Sequence, residues 1–428
     1  MSRPSFLERL GLHRRDLRAW AMYDWANSAF VLVIITAIFP LYYGSVAAAG
    51  VDAGTATARY GWATSISLIA VAASAPLLGA LADLRSIRKR LLGLFAGLGI
   101  LATGAMVFLG EGRWPAALAL FAVGNIGVTA SFIFYDALLP HIAHPSEIDR
   151  VSAGGYALGY LGSGLLLAAS LVVIQNPTTF GIPDTETATR MSFLGVALWW
   201  GLFSIPLFLR VPEPPPFSSS GAVFASLRQA LRDLRGNHRD AFTMLMATMF
   251  YNEGIGTIIR MAAIYAAGIG LPQSTVITAI LVVQFLGVPC AFIFGNLAGV
   301  FGTKRTILTG LGVYALITVV AYRMDSSPEF YLLAVLVALV QGGTQALSRS
   351  LFASMIPKER SSEFFGFYSV FEKLSGVFGP GLFGIMVWWT GSSRNAILTV
   401  LAFFVAGGIL LAMTNVDRGR AAARTASG

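Results

Sequence analysis

Seven ionisable side chains lie inside stretches that are otherwise apolar: the acids Asp24, Asp136, Glu253 and Glu372, and the bases Arg260, Arg349 and Lys373. No lysine or arginine interrupts the run from Ala19 to Tyr43, yet Asp24 stands in it with Asn27 and Ser28, at i, i+3 and i+4. A lone charge at bilayer depth costs about 2.5 to 3.5 kcal/mol on insertion scales, so such groups are either compensated or used. Used, the carboxylates exchange protons, and an arginine receives a substrate carboxylate. Compensated, Asp24, Glu253 and Glu372 neutralise Arg260, Arg349 and Lys373 so that helices can pack. Both readings stay open from the residues alone.

Helical spacing groups further polar residues with these charges. Asn125, Thr129, Phe132 and Asp136 share one face, and Gln341, Thr344 or Gln345, Ser348 and Phe352 share another, next to Arg349. Glu253 lies beside Gly256, Thr257 and Arg260, while Glu372 has Ser369 and Ser375 on its face and Lys373 beside it. Polar stripes of this kind need protein or water next to them. Other chemistries find little support: the chain has no HExxH or GxSxG pattern and no Walker-type phosphate loop. His141 and His144 read as a solvated turn rather than a metal site, and the single cysteine, Cys290, has no partner in the chain. The expectation is a non-enzyme that needs no cofactor and no metal.

These residues must be held by membrane helices. Of the 428 residues 56% are hydrophobic and 12% charged, and the mean hydropathy is +0.70, which excludes an ordinary soluble domain. Apolar runs recur at roughly 19–45, 61–83, 91–110, 115–139, 152–175 and 191–210, and again at 241–268, 275–300, 305–323, 330–355, 363–390 and 395–414. The predicted fold is therefore an all-α membrane protein of 12 helices. With the N-terminus inside, 22 Lys and Arg fall on the cytoplasmic side against 5 on the other, so both termini are expected in the cytoplasm. The net charge of +9 follows from this topology and requires no nucleic acid. The expected organisation is a cytoplasmic amphipathic arm (1–18), a six-helix bundle (19–210), a cytoplasmic linker (211–240), a second bundle (241–414) and a tail (415–428). In the linker Phe224, Leu227, Leu231 and Leu234 share one helical face and Arg228, Arg232 and Arg235 another, as in a helix lying on a lipid surface.

The halves repeat. GALADLRSIRK (79–89) matches GNLAGVFGTKR (295–305) at an offset of 216 residues, and Pro140 with Pro357, Gly162 with Gly379 and Gly164 with Gly381 match at 217. Glycines in GLFAG (93–97), GYALG (155–159) and GNLAG (295–299) read as close helix-packing faces, and Pro380 as a kink. Two six-helix bundles related by an axis along the membrane normal are a transporter plan, with the substrate site between them.

Gly79, Asp83, Arg85, Arg88, Lys89 and Arg90 resemble the signature loop of the major facilitator superfamily, with Ser86 where a glycine is usual. Gly79, Asp83, Arg88 and Lys89 are then a conformational latch in which Asp83 caps the next helix and attracts arginines across the halves. WAMYDWANSAF, YNEGIGTIIRMAAIYAAGIG and QALSRSLFASMIPKERSSEFFGFYSVFEKLSGVFGPGLFG narrow the resemblance to the vacuole-effluxer-like transporters, in a bacterial member. Asp136 stands where that family commonly has Asn, and Glu253-Gly254 where it has Asp-Gly. The resemblance implies a secondary transporter of a small polar or zwitterionic solute such as an amino acid. Its partners would be that solute, the lipid bilayer and protons, and it would act as a monomer in the inner (plasma) membrane. Two alternatives stay open: a receptor or scaffold that keeps a transporter fold, and a carrier of an unrelated solute such as a drug or lipid.

Overall fold

A computed structural model describes residues 5–217, 232–268, 270–375, 378–391 and 393–425. Among the described residues the regular structure is entirely helical. The first half contains α1 (Arg15–Ala47), α2 (Ala53–Arg85), α3 (Arg88–Phe108), α4 (Trp114–Ile142), α5 (Ile148–Gln175) and α6 (Thr185–Arg210). The second half contains α7 (Arg239–Gly268), α8 (Gln273–Phe301), α9 (Thr303–Arg323) and α10 (Ser327–Ala353). It continues with α11 (Ser361–Leu374) and α12 (Phe378–Thr390), then α13 (Arg394–Met413) and a tail helix α14 (Val416–Thr425). Ten of these, α1 to α6, α8 to α10 and α13, are long and apolar enough to cross a membrane.

The eleventh expected span is described as two stretches, α11 and α12, with residues 376–377 between them outside the described residues. α11 runs to Leu374 with Ser375 as its C-cap, and the residues between it and α12, next to the kink expected at Pro380, lie outside the described residues. α2 also starts eight residues earlier than the apolar run, because Asp52 caps it by accepting the Thr55 N–H at 2.9 Å. Asp184 caps α6 in the same way at 2.7 Å. In α1 the backbone is π-wound over Phe30–Ala37 and Tyr43–Ala47, on either side of Pro40. The linker residues Phe224, Leu227, Arg228 and Leu231, expected on an amphipathic helix, lie outside the described residues.

α2 packs along α11, and α5 along α8. The repeat offset relates α2 to α8 and α5 to α11, so these two contacts between the halves are copies of one another. Each uses a glycine of the repeated motif. At Gly79 an added Cβ would collide with the Ser362 backbone at the start of α11, and at Gly295 one would collide with Ala153 near the start of α5. Both crossings lie at the end of the molecule that carries the two termini: Arg14 of the arm pairs with Glu147 ahead of α5 at 3.4 Å, and Arg420 of the tail donates to Ser354 after α10 at 3.3 Å. Towards the other end α2 packs on its own half, with Tyr60 against Phe121 at 4.8 Å and Tyr43 at 5.7 Å and Arg59 over Trp114 at 3.9 Å. It is mostly exposed over residues 53–70 and mostly buried over residues 71–83. The halves meet at the terminal end through these two crossings, and α5 stays against the second half as far as Tyr160 at Gly287 and Gly342 and Gly164 at Gln284.

Candidate functional site

Arg349 lies four residues before the end of α10, about 6 Å along the axis at helical rise. Its guanidinium makes five hydrogen bonds, all to the first half. Nε donates to Ser152 Oγ at 2.9 Å, one terminal nitrogen to Asp24 at 3.3 Å and Asp136 at 3.0 Å, and the other to Asp24 at 3.3 Å and the Ser152 carbonyl at 2.9 Å. A guanidinium has five N–H groups, so none is left for a ligand in this arrangement. Three rings surround the cation, with Tyr156 at 4.6 Å, Trp20 at 4.8 Å and Tyr135 at 5.5 Å from their centroids.

The first half supplies the side chains of this receptor, and Ser152 Oγ also donates to the Ala346 carbonyl of α10 at 2.7 Å. Trp20 and Tyr135 stack at 4.5 Å, the Trp20 indole N–H donates to the Tyr135 carbonyl at 3.0 Å, and the Tyr135 hydroxyl donates to Asp24 at 2.8 Å. Gly155 gives them room: a Cβ there would strike the Asp24 carboxylate and come within 3.1 Å of both Arg349 and Trp20. The expected packing role of GYALG thus divides. Gly159 faces α1 at Ser28, while Gly155 faces the ion cluster. Two carboxylates oppose one guanidinium, and Asp136, with 14% of its side chain exposed, is the more accessible acid.

The remaining candidates fall into three groups. Asn27 and Asn125 are buried in the first half, and Asn125 accepts from Thr129 at 3.5 Å. Gln341 and Gln345 are both half-buried on α10, where Tyr160 of the first half packs against the adjacent Gly342. Glu372 and Lys373 pair with each other at 3.4 Å, so Lys373 is compensated by its neighbour in sequence. Glu253, midway along α7, accepts the Gly379 N–H at 2.6 Å, at the start of α12. Its expected grouping with Arg260 cannot be followed, because the Arg260 side chain lies outside the described residues.

The terminal-end loop corrects two expectations. Asp83 does not cap the following helix. It caps α11 of the other half, accepting the Ser362 N–H at 3.1 Å and the Glu363 N–H at 2.8 Å. The cap of α3 comes from the linker, where Glu213 accepts the N–H groups of Arg88 at 2.8 Å and Lys89 at 2.9 Å. Arg88 is wholly buried, pairs with Asp83 at 2.7 Å and crosses the halves to Ser362 Oγ at 3.0 Å and the Glu359 carbonyl at 2.9 Å. Lys89, in contrast, holds the Phe208 and Val211 carbonyls of its own half at 2.9 and 2.6 Å. Arg360, between α10 and α11, pairs with Glu363 at 2.9 Å and with Asp233 of the linker at 2.8 Å. Burial works against the Arg360 charge, but Glu363 and Asp233 outweigh it and hold the guanidinium above its ordinary range. His141 is not in a solvated turn. It belongs to the last turn of α4 and faces Ser361 Oγ at 3.1 Å.

Ser152, Trp20, Tyr135, Tyr156 and Glu213 escaped the sequence reading, since serines, aromatics and a linker acid are ordinary in membrane proteins. The only signal for Tyr135 was its place beside Asp136 in FYDALLP.

Solved structures with this architecture are transporters. The human organic anion transporter MFSD10 (TETRAN) superposes with a TM-score of 0.71 at 14% identity, over 93% of this chain and 99% of that one. The proton:xylose symporter XylE gives 0.69 at 14%, over 92% and 94%, and a bacterial homologue of the iron transporter ferroportin in an outward-facing state gives 0.66 at 12%, over 93% and 98%. At these identities the likeness is one of fold. In sequence the chain is 37% identical over 403 residues to the uncharacterized MFS-type transporter YxiO of Bacillus subtilis (strain 168), covering 92% of this chain and 93% of that one. It is 26% identical over 302 residues to autophagy-related protein 22-1 of Penicillium rubens, covering 63% of this chain and 50% of the relative, so the match spans half of the fungal protein. The profile "Vacuole effluxer Atg22 like" matches residues 55–424. This multi-pass membrane protein belongs to the vacuole effluxer Atg22-like family of major facilitator transporters.

Proposed function

We propose that the chain moves a small polar or zwitterionic solute, such as an amino acid, by alternating access across the inner membrane, with both termini in the cytoplasm and protons as the coupling ion. One observation carries the reading: Arg349 of the second half spends all five N–H groups on the first half. A buried ion pair costs desolvation and adds little to stability over an apolar contact, so its value lies in being breakable as a unit. When the halves part at the terminal end, helix α10 withdraws Arg349 and two carboxylates lose their counter-charge. A proton on Asp136 brings the closed cluster to neutrality and loosens one of its contacts to Arg349. The arrangement therefore couples proton occupancy to opening on the cytoplasmic side. The contacts across the halves at the terminal end support a state closed on the cytoplasmic side, with Asp83 and Arg88 as the cytoplasmic latch. The expected role of a substrate-binding arginine does not fit Arg349 in this state, because its donors are spent.

The test is counterflow of a labelled amino-acid panel in proteoliposomes, followed by flux under an imposed pH gradient. Flux of at least one solute, driven by the gradient in the native protein and indifferent to it in Asp136→Asn, is the expected result. A gradient response that survives in Asp136→Asn removes this acid from coupling, and Glu253→Gln then tests the other membrane-depth carboxylate.

A further inference from the structure

The receptor around Arg349 is assembled from α1, α4 and α5, and its rings and acids are held within the first half, Trp20 to Tyr135 at 3.0 Å and Tyr135 to Asp24 at 2.8 Å, while Ser152 Oγ also donates to the Ala346 carbonyl of α10 at 2.7 Å. The second half supplies the occupant and the one carbonyl that accepts from Ser152. It has the features of a cation cage, with aromatic faces at 4.6 to 5.5 Å from the charge, two carboxylates at 3.0 and 3.3 Å, and Ser152 supplying two acceptors at 2.9 Å. Gly155 keeps it open on the side where a methyl would fill it.

We propose that Arg349 is a tethered stand-in for the substrate: the cage takes the guanidinium or ammonium group of a cationic or zwitterionic solute whenever the halves separate and Arg349 leaves. The inference rests on the transporter reading above and adds the chemical class of the group recognised. A rigid site emptied of a cation but still carrying Asp24 and Asp136 pulls in another cation, because two desolvated carboxylates and three ring faces are otherwise unsatisfied. Solute and Arg349 then compete for one place. The solute favours the state open at the terminal end, Arg349 favours the closed one, and release follows when Arg349 returns. Neutral sugars and organic anions have no group that fits.

Chemical rescue tests this on the full-length protein without any need for flux. Purified Arg349→Ala is titrated with ethylguanidinium, and with ethylurea as an uncharged isostere at matched ionic strength, while thermal unfolding is followed. A saturable rise in Tm with ethylguanidinium alone is expected, weakened roughly tenfold by adding Trp20→Leu, about the worth of one desolvated cation–π contact. Equal response to ethylurea, or no response to either, overturns the cage. Should Arg349→Ala fail to fold, the native protein in proteoliposomes gives the same answer: ethylguanidinium must inhibit flux competitively, and flux that ignores it overturns the proposal. Rescue in a protein that moves no solute would sink the transporter reading and keep the cage. Robust flux of neutral or anionic solutes without rescue would do the reverse.

Discussion

At the scale of single residues, the chemistry concentrates where a glycine leaves space. Gly155→Ala places a methyl against the Asp24 carboxylate and Trp20, and overpacking of this kind costs about 1 to 3 kcal/mol. The expected outcome is a folded protein with a lower Tm and flux reduced at least about tenfold, read by thermal unfolding and counterflow, since 1.4 kcal/mol is one decade. Arg349→Ala leaves two buried carboxylates unpaired, and breaking a buried pair costs about 3 to 5 kcal/mol. Adding Asp24→Asn and Asp136→Asn to it should restore most of the lost stability without restoring transport, and a triple variant as unstable as the single one would contradict the charge account. Asp24, Asp136 and Arg349 were legible in the sequence because charge is rare in such runs. Their mutual pairing was not, since 325 residues separate Asp24 from Arg349.

At the scale of helices, the terminal end is organised by caps that cross from one half to the other. Asp83 closes the N-terminus of α11 through two backbone N–H groups, and Arg88 fixes that carboxylate at 2.7 Å. Removing such a cap costs about 0.5 to 2 kcal/mol. Asp83→Ala should therefore shift the population towards opening at this end by roughly 2-fold to 30-fold through the cap alone, and further because the buried Arg88 loses its carboxylate. The measure is thiol labelling of a cysteine placed at the buried Ala346 in a Cys290→Ser background, which should speed up; unchanged labelling would mean the cap does not bias opening. Sequence pattern located Asp83 at the end of α2 but assigned its cap to α3, because a carboxylate at a helix end is ordinarily read against the nearest helix in the chain. The real cap of α3, Glu213, lies 125 residues from Arg88.

For the molecule as a whole, the repeated contacts of α2 with α11 and α5 with α8 are what bring the halves together. They require backbone to approach backbone at Gly79 and at Gly295. Gly79→Leu should fold, because each half keeps its own core, but should hold the terminal end open. Flux is expected to fall to background while labelling at Ala346 becomes fast and insensitive to solute. Retained flux in this variant would show that closure at α2 and α11 is not part of the cycle.

Hydropathy, charge asymmetry and the offset of 216 to 217 residues sufficed, from the chain alone, for a helical membrane protein built from two similar halves. Those signals are local or periodic, and a linear sequence carries them intact. The cap that Asp83 makes across the halves and the seating of Arg349 among Trp20, Tyr135 and Tyr156 came only from the tertiary structure. Each depends on which helices become neighbours once two bundles dock, and no spacing along one helix records the identity of the group that faces it from another.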